Sequence, residues 1–258
     1  MAKMFYFRYG WFQMRERFAD VGSSLAPLFL YGFFIWLLTQ MWQKFNAYQG
    51  HYTRDEVAIY IAITELLFMN FLRSPFMQRS DADFSITLSR PRSWLTLTFC
   101  GQMGASLGSR IVYIGAALCI LPLLGVDFGL SFAACGRLFL LMPLLTIIEA
   151  LLATFFAIAQ LLWHETKYLV TPITKLFLSL GGVFAPLADY GEPGRSFFLQ
   201  LPPSDVFFQV AHFCVKGQFY EMGVAVWHMR VAVLIITFFV INHFFFRIAK
   251  ERHQSFGG

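Results

Sequence analysis

Long apolar segments constrain this chain more than any other feature of its sequence. Six of them approach the roughly 20 residues with which an α-helix crosses a bilayer. They span residues 24–45, 56–76, 104–125, 136–163, 168–187 and 223–246. The chain is 57% hydrophobic and 14% charged, and a water-soluble fold of this length could not bury so much apolar surface. We therefore predict an all-α membrane protein: one transmembrane domain over residues 1–258, with six transmembrane helices.

Residues 1–20 are predicted to form an amphipathic helix rather than a signal peptide, because charges interrupt any apolar core. Their aromatic side chains cluster on one helical arc, which suits a helix lying in the membrane interface. Arg8 and Arg15, seven residues apart, interrupt this arc. That edge is predicted to contact a protein partner or lipid phosphates, with plain lipid contact as the simpler interpretation.

Basic residues in the short loops indicate how the helices are oriented. With the N-terminus inside, twelve lysines and arginines fall on the inner side, and three lie within apolar segments. Five fall on the outer side, namely Lys44, Arg54, Arg137, Arg195 and Lys216. Both termini are therefore predicted to be cytoplasmic.

Two connections differ from ordinary loops. Residues 72–95 contain four arginines and two aspartates, so this segment is too polar to insert into a membrane. Residues 188–222 are apolar and aromatic in the middle, but Pro193, Pro202 and Pro203 exclude a continuous spanning helix. Short re-entrant or interfacial helices at the outer face are expected there.

No motif of an enzyme or a nucleotide site is present. The sequence lacks GxxxxGK[ST], HExxH and GxSxG, so no catalytic residue, metal site or cofactor is predicted on this chain, and no nucleic-acid partner. The four cysteines form no CxxC pair and are predicted to be small apolar fillers. A disulfide between Cys135 and Cys214 is the alternative.

Ionisable residues inside apolar segments are expensive and are therefore functional candidates. Glu65 and Glu149 fall near the middle of the second and fourth segments, and Lys175 lies in the fifth. Arg110 and Arg230 are placed nearer helix ends, where their side chains could snorkel to the interface. These residues either line a polar pathway or form Glu–Lys or Glu–Arg pairs that fix helix packing.

Aromatic residues make up 19% of the chain. Such rings either stack on the faces of a ligand, without a fixed pattern of hydrogen bonds, or have no ligand role. The candidate lining residues are Phe33, Phe34, Trp36 and Trp42 in the first segment and Phe197, Phe198, Phe207 and Phe208 in the outer segment. Ordinary lipid-facing and interfacial positions are the alternative.

Three short motifs stand in a characteristic order: SRPRSW at 89–94, GGVFAPL at 181–187 and LPPSDVFF at 201–208. With the amphipathic N-terminal segment and the two unusual connections, they resemble the permease subunit of ABC-2 type transporters. Capsule and O-antigen polysaccharide exporters are most similar in length and loop size. Two features depart from that pattern: Pro202-Pro203 replaces an Asn-Pro turn, and the basic run before the first helix is reduced to RERFAD at 15–20.

The resemblance implies that residues 72–95 form a cytoplasmic segment coupling the chain to an ATPase, and that residues 188–222 form an outer gate. The coupling residues it implies are Phe76, Met77, Arg79, Asp81, Asp83 and Phe84, with a smaller second contact at His164, Glu165 and Lys167. An ordinary solvated loop obeying the positive-inside rule is the alternative interpretation.

The resemblance further implies a homodimer with two copies of a separate ATPase subunit, which would hold ATP and Mg²⁺. The expected cargo is a capsule-like or lipid-linked polysaccharide moved outward across a bacterial inner membrane, with an export partner in the periplasm or outer membrane. The pyranose faces of this polymer would stack on the candidate lining rings as it slides. An ABC-2 permease for lipids or small hydrophobic drugs is the alternative. A stand-alone membrane scaffold or enzyme comes third.

Overall fold

The computed structural model describes residues 2–19, 21–46, 52–72, 93–163, 172 and 204–255. Within these residues it contains seven α-helices and no β-strand. In chain order the helices are α1 (Ala2–Ala19), α2 (Val21–Asn46), α3 (Arg54–Leu72), α4 (Trp94–Leu123), α5 (Phe128–Leu162), α6 (Ser204–Lys216) and α7 (Val224–Ser255). The all-α prediction is confirmed for the described part of the chain.

Among the described helices, four are long and apolar enough to cross a membrane. These spans are Leu25–Trp42, Trp94–Leu123, Phe128–Leu162 and Val224–Arg252, and they overlap the first, third, fourth and sixth predicted segments. Helix α3 overlaps the second predicted segment but is not among the four, because Arg54, Asp55, Glu56 and Glu65 make it more polar. The fifth predicted segment lies outside the described residues except for residue 172.

Helix α3 lies at the centre of the described bundle. All its side chains from Val57 to Leu67 are buried, and it contacts α2, α4, α5 and α6. The polar residues in this stretch are Thr64, whose hydroxyl donates to the carbonyl oxygen of Tyr60 (3.1 Å), and Glu65. A helix that is apolar on all its faces is typical of a buried helix. Because these side chains are buried on every face, protein surrounds α3 over this length.

Side-chain caps determine where three helices begin. At α3, Thr53 and Glu56 form a capping box: the Thr53 amide donates to Glu56 Oε2 (2.8 Å), and the Glu56 amide donates to Thr53 Oγ1 (3.3 Å). Ser93 accepts from the Thr96 amide at α4, and Asp127 accepts from the Leu130 amide at α5. Helices α4 and α5 therefore start at residues 94 and 128, earlier than the predicted starts at 104 and 136.

The start of α3, the α4–α5 connection and the C-terminus of α6 meet at one end of the bundle, called the α6 end here. The Arg54 guanidinium donates to the carbonyl oxygen of Leu124 (3.3 Å), and the Asp127 amide donates to Asp55 Oδ2 (3.2 Å). Lys216 of α6 pairs with Glu56 of α3. These contacts place sequence-distant connections side by side, as expected when successive helices run in opposite directions.

The opposite end, called the α1 end here, gathers the starts of α1 and α4 and the C-terminal parts of α5 and α7. The Ser93 amide donates to the Tyr6 hydroxyl (3.2 Å). The rings of Trp94 and Phe246 stack with centroids 5.6 Å apart, and Arg252 donates to the carbonyl oxygen of Leu162 (3.0 Å). Helices α4, α5 and α7 thus extend from one end of the bundle to the other.

Helix α1 packs backbone to backbone on α4. A Cβ atom at Gly104 would lie 1.9 Å from the carbonyl oxygen of Gly10, and one at Gly10 would lie 2.9 Å from that of Cys100. Only glycine at both positions permits this approach. On the exposed side of α1, the rings of Phe7 and Trp11 are 74% and 54% accessible, so this helix combines a close protein contact with an open aromatic face.

Candidate functional site

A buried ion pair joins α4 and α5 inside the bundle. Nη2 of Arg110 contacts Oε1 of Glu149, and the two side chains are 0% and 6% exposed. Charges taken out of water are tolerated when they are paired and hydrogen-bonded. This is the Glu–Arg type of pair that the sequence analysis offered as a way to fix helix packing.

Two hydroxyl groups and a backbone carbonyl form hydrogen bonds with this pair. The Ser106 hydroxyl donates to Glu149 Oε2 (2.5 Å). Nη1 of Arg110 donates to the carbonyl oxygen of Met142 (3.2 Å) and to the Thr146 hydroxyl oxygen (3.3 Å). We call Ser106, Arg110, Thr146 and Glu149 the buried polar cluster.

The prediction that Arg110 snorkels from a helix end is wrong. Arg110 is fully buried and lies about 13 residues, or about 20 Å, before the end of α4 at Leu123. The counter-charge of Glu149 lets the guanidinium stay inside. Arg230, near the start of α7, is 44% exposed and pairs with Asp205 of α6 (3.3 Å).

Glu65 is the other buried acid that the sequence analysis singled out. Its side chain is 2% exposed within the central helix α3, and its Oε2 has no hydrogen-bond partner in the described part of the chain. Nearly one turn earlier, the carbonyl oxygen of Ala62 accepts a hydrogen bond from Tyr31 of α2 (2.9 Å). An acid so deep in the bundle, with one carboxylate oxygen unpaired among the described residues, is a candidate for function.

A second polar group, the α6-end cluster, consists of Tyr52, Glu56, His212 and Lys216. The Tyr52 hydroxyl lies 2.6 Å from His212 Nδ1. Lys216 Nζ lies 2.7 Å from Glu56 Oε2 and 5.0 Å from the centroid of the Tyr52 ring, within cation–π range. The cluster ties α6 to the start of α3 across 160 residues of sequence.

The electrostatics of this cluster keep His212 neutral. Burial, and after it the charge of Lys216, lower the pKa of His212 from 6.5 to about 4, while the charge of Glu56 acts in the opposite sense. In a neutral imidazole one nitrogen donates and the other accepts, so the tautomer of His212 decides whether the Tyr52 hydroxyl donates to Nδ1 or accepts from it. The cluster thus depends on an uncharged histidine at neutral pH.

The C-terminus of α6 is held by a charge from α5. Nη1 of Arg137 donates to the carbonyl oxygens of Cys214 (2.8 Å) and Val215 (3.2 Å), where a helix carries its partial negative charge. Gly217 follows with φ of 76°, a left-handed conformation that ends the helix. Helix α6 is therefore fixed to both α3 and α5.

The candidate lining residues occupy different environments. Phe207 and Phe208 of α6 are 2% and 0% exposed and belong to the hydrophobic core, so their rings lie inside the protein. Phe33 and Trp36 of α2 are 43% and 46% exposed. The remaining pair in α2, Phe34 and Trp42, is partly buried and packs against the core.

Several predicted site residues lie outside the described residues: Phe76, Met77, Arg79, Asp81, Asp83, Phe84, His164, Glu165, Lys167, Lys175, Phe197 and Phe198. Cys135 and Cys214 are both free thiols and both buried, so the alternative of a disulfide between them is wrong. Across the described helices, no group of three or more His, Cys, Asp or Glu side chains could hold a metal ion.

Sequence reasoning missed Tyr52 and His212 altogether. One signal was available for the nearby Glu56, because T-x-x-E at 53–56 is a capping-box pattern. Nothing in the sequence relates a tyrosine to a histidine 160 residues away.

No protein-family model matches this chain, and no curated protein matches it.

Proposed function

We propose that this chain is the membrane subunit of an ABC-2 type exporter that works as a homodimer with two copies of a separate ATPase. In this proposal α3 and residues 168–187 complete a set of six spans, α1 lies in the inner membrane interface, and the α6 end faces outward. The preferred cargo is a polysaccharide moved out of a bacterial cytoplasm.

The observation that carries the proposal is helix α6. With 13 residues it is about 20 Å long, too short to cross a hydrocarbon core of about 30 Å. It follows Pro202-Pro203 and is held at one end of the bundle by Lys216–Glu56 and by Arg137. A short helix held at one end, before the last spanning helix, is what the resemblance to ABC-2 permeases implies for an outer gate.

The position of α1 supports an interfacial location. Its contact at Gly104 lies about 19 residues, or about 29 Å, before Leu123 at the α6 end. This separation is close to the thickness of the hydrocarbon core. If Leu123 lies near the outer interface, α1 meets α4 near the inner one.

Force would enter through residues 72–95, which connect α3 to α4. Closure of the ATPase pair would push this segment and move α3 and α4 as rigid bodies. The buried polar cluster joins α4 to α5, and the α6-end cluster joins α3 to α6. In this mechanism both clusters stabilise the resting arrangement, and the conduit opens between two protomers related by a two-fold axis.

A deletion strain tests the cargo directly. Polysaccharide should accumulate in the cytoplasm when this gene is removed and should return to the surface when it is restored. Sensitivity to hydrophobic compounds with normal surface polysaccharide would instead favour a permease for lipids or drugs. Normal behaviour in both assays would favour a scaffold or an enzyme.

A further inference from the structure

An apolar groove opens between α1, α4 and α5, on the side of α1 that carries its exposed rings. Its volume is about 320 Å³, at the lower end of the range of about 300–1,000 Å³ for ligand cavities. The main lining side chains are Phe7, Trp11, Met14, Met103, Leu107 and Ile147. We call this space the α1 groove.

The hydroxyl group of Thr146 in the groove is not available to a ligand. Thr146 lines it, but its hydroxyl already donates to the carbonyl oxygen of Met142 (2.7 Å) and accepts from Arg110 (3.3 Å). A hydrocarbon chain makes no hydrogen bonds, and it gains by leaving water for an apolar surface. The groove therefore suits an acyl chain rather than a sugar.

Two cations stand at the edge of the groove. Arg8 and Arg15 directly follow the lining residues Phe7 and Met14, and both arginine side chains are exposed. They are seven residues apart, so they lie on one side of α1 about 10 Å from each other along its axis. Neither takes part in the ion pairs found between described residues, so their charges are available to a ligand.

We propose that the α1 groove binds an anionic phospholipid, with an acyl chain along Phe7, Trp11 and Ile147 and the phosphate at Arg8 and Arg15. Guanidinium groups bind phosphate through charge-assisted hydrogen bonds. A second copy of the chain is the alternative occupant, and the self-association of the variants below tests it.

The test uses the purified full-length chain, stripped of lipid and titrated in native mass spectrometry. The two probes are phosphatidylglycerol and phosphatidylcholine with identical acyl chains. The wild-type chain should prefer phosphatidylglycerol, by about fivefold for each arginine in contact. The variant Arg8→Gln/Arg15→Gln should bind both lipids equally. Its matched control, Arg247→Gln/Lys250→Gln, removes two exposed charges from α7 and should keep the preference.

A second pair of variants tests the acyl-chain position. Ile147→Trp fills the groove and should abolish retention of both lipids, whereas Val233→Trp, on the exposed apolar surface of α7, should not. The proposal is overturned if the Arg8/Arg15 variant keeps its preference for phosphatidylglycerol, or if Ile147→Trp still retains lipid. Loss of self-association in Ile147→Trp with unchanged lipid binding would also overturn it, because the groove would then be covered by a second copy.

Discussion

Arg110 of α4 and Glu149 of α5 form an ion pair in the interior of an apolar helix bundle, with Ser106 and Thr146 as hydrogen-bond partners. A pair this deep opposes both rotation and sliding of one helix against the other, because either movement separates two desolvated charges. The pair therefore helps to define how α4 and α5 pack against each other.

Removing one partner of this pair should be far more damaging than removing both. Arg110→Met or Glu149→Leu alone leaves an uncompensated buried charge, so each should lower the free energy of unfolding by about 3–5 kcal/mol. The double variant should recover most of that loss. The free energy of unfolding of the two single variants and the double variant is measured by titrating SDS into a mild detergent. Single and double variants with additive losses would show that the two charges are not coupled.

The glycine contact between α1 and α4 should be intolerant of a single methyl group. In Gly104→Ala the new Cβ would meet the carbonyl oxygen of Gly10 at 1.9 Å, so α1 must move, at a cost of about 1–3 kcal/mol. Trypsin cleavage at Arg15 should become faster. Gly115→Ala on the same helix is the control, because its Cβ would have no atom within 4 Å. Equal cleavage rates in the two variants would refute the contact.

Acidification should weaken the attachment of α6. The folded pKa of His212 is about 4, against an ordinary value of 6.5. Between these values the unfolded chain binds a proton that the folded chain does not, so stability falls as pH falls through this window. His212→Leu should flatten the dependence of unfolding on pH between 6.5 and 4. Tyr52→Phe should largely keep it, because burial is the main cause of the shift. An unchanged slope in His212→Leu would exclude His212 as the source.

The coupling role of residues 72–95 is tested by Asp81→Ala/Asp83→Ala. If these carboxylates contact the ATPase, the double variant should insert normally but lose assembly with the ATPase or the coupling of ATP hydrolysis to transport. Glu251→Ala removes another exposed acid, at the C-terminal part of α7, and should leave both unchanged. Measurements of transport and of ATPase co-purification decide the matter, and full transport in the Asp81/Asp83 variant would remove the coupling assignment.

Hydropathy alone predicts the four described helices that are long and apolar enough to cross a membrane, because each keeps an apolar stretch of the length that a bilayer requires. It placed the start of α4 late, since Thr98 and Gln102 read as polar although both are buried in the structure. The predicted start of α5 is also too late. Asp127 could have corrected it, because aspartate is a preferred residue at the N-terminal cap of a helix. Local signals thus define much of each helix, and tertiary contacts extend it.

The candidate site was less accessible to sequence reasoning. The sequence indicates Glu149, because a carboxylate in an apolar segment is costly to bury. It places Arg110 near a helix end and does not pair the two residues, because one sequence does not show which helices face each other. The α6-end cluster was missed for the same reason. Conversely, Phe207 and Phe208 were considered as lining residues, while the fold uses them as core.

The most direct test of the proposed function is the composition of the complex purified from native membranes in mild detergent. A tagged copy of this chain should co-purify with an ATP-binding-cassette ATPase in a complex of two copies of each, and that complex should hydrolyse ATP. Recovery of this chain as a lone monomer, with no ATPase associated under conditions that preserve other membrane complexes, would contradict the account.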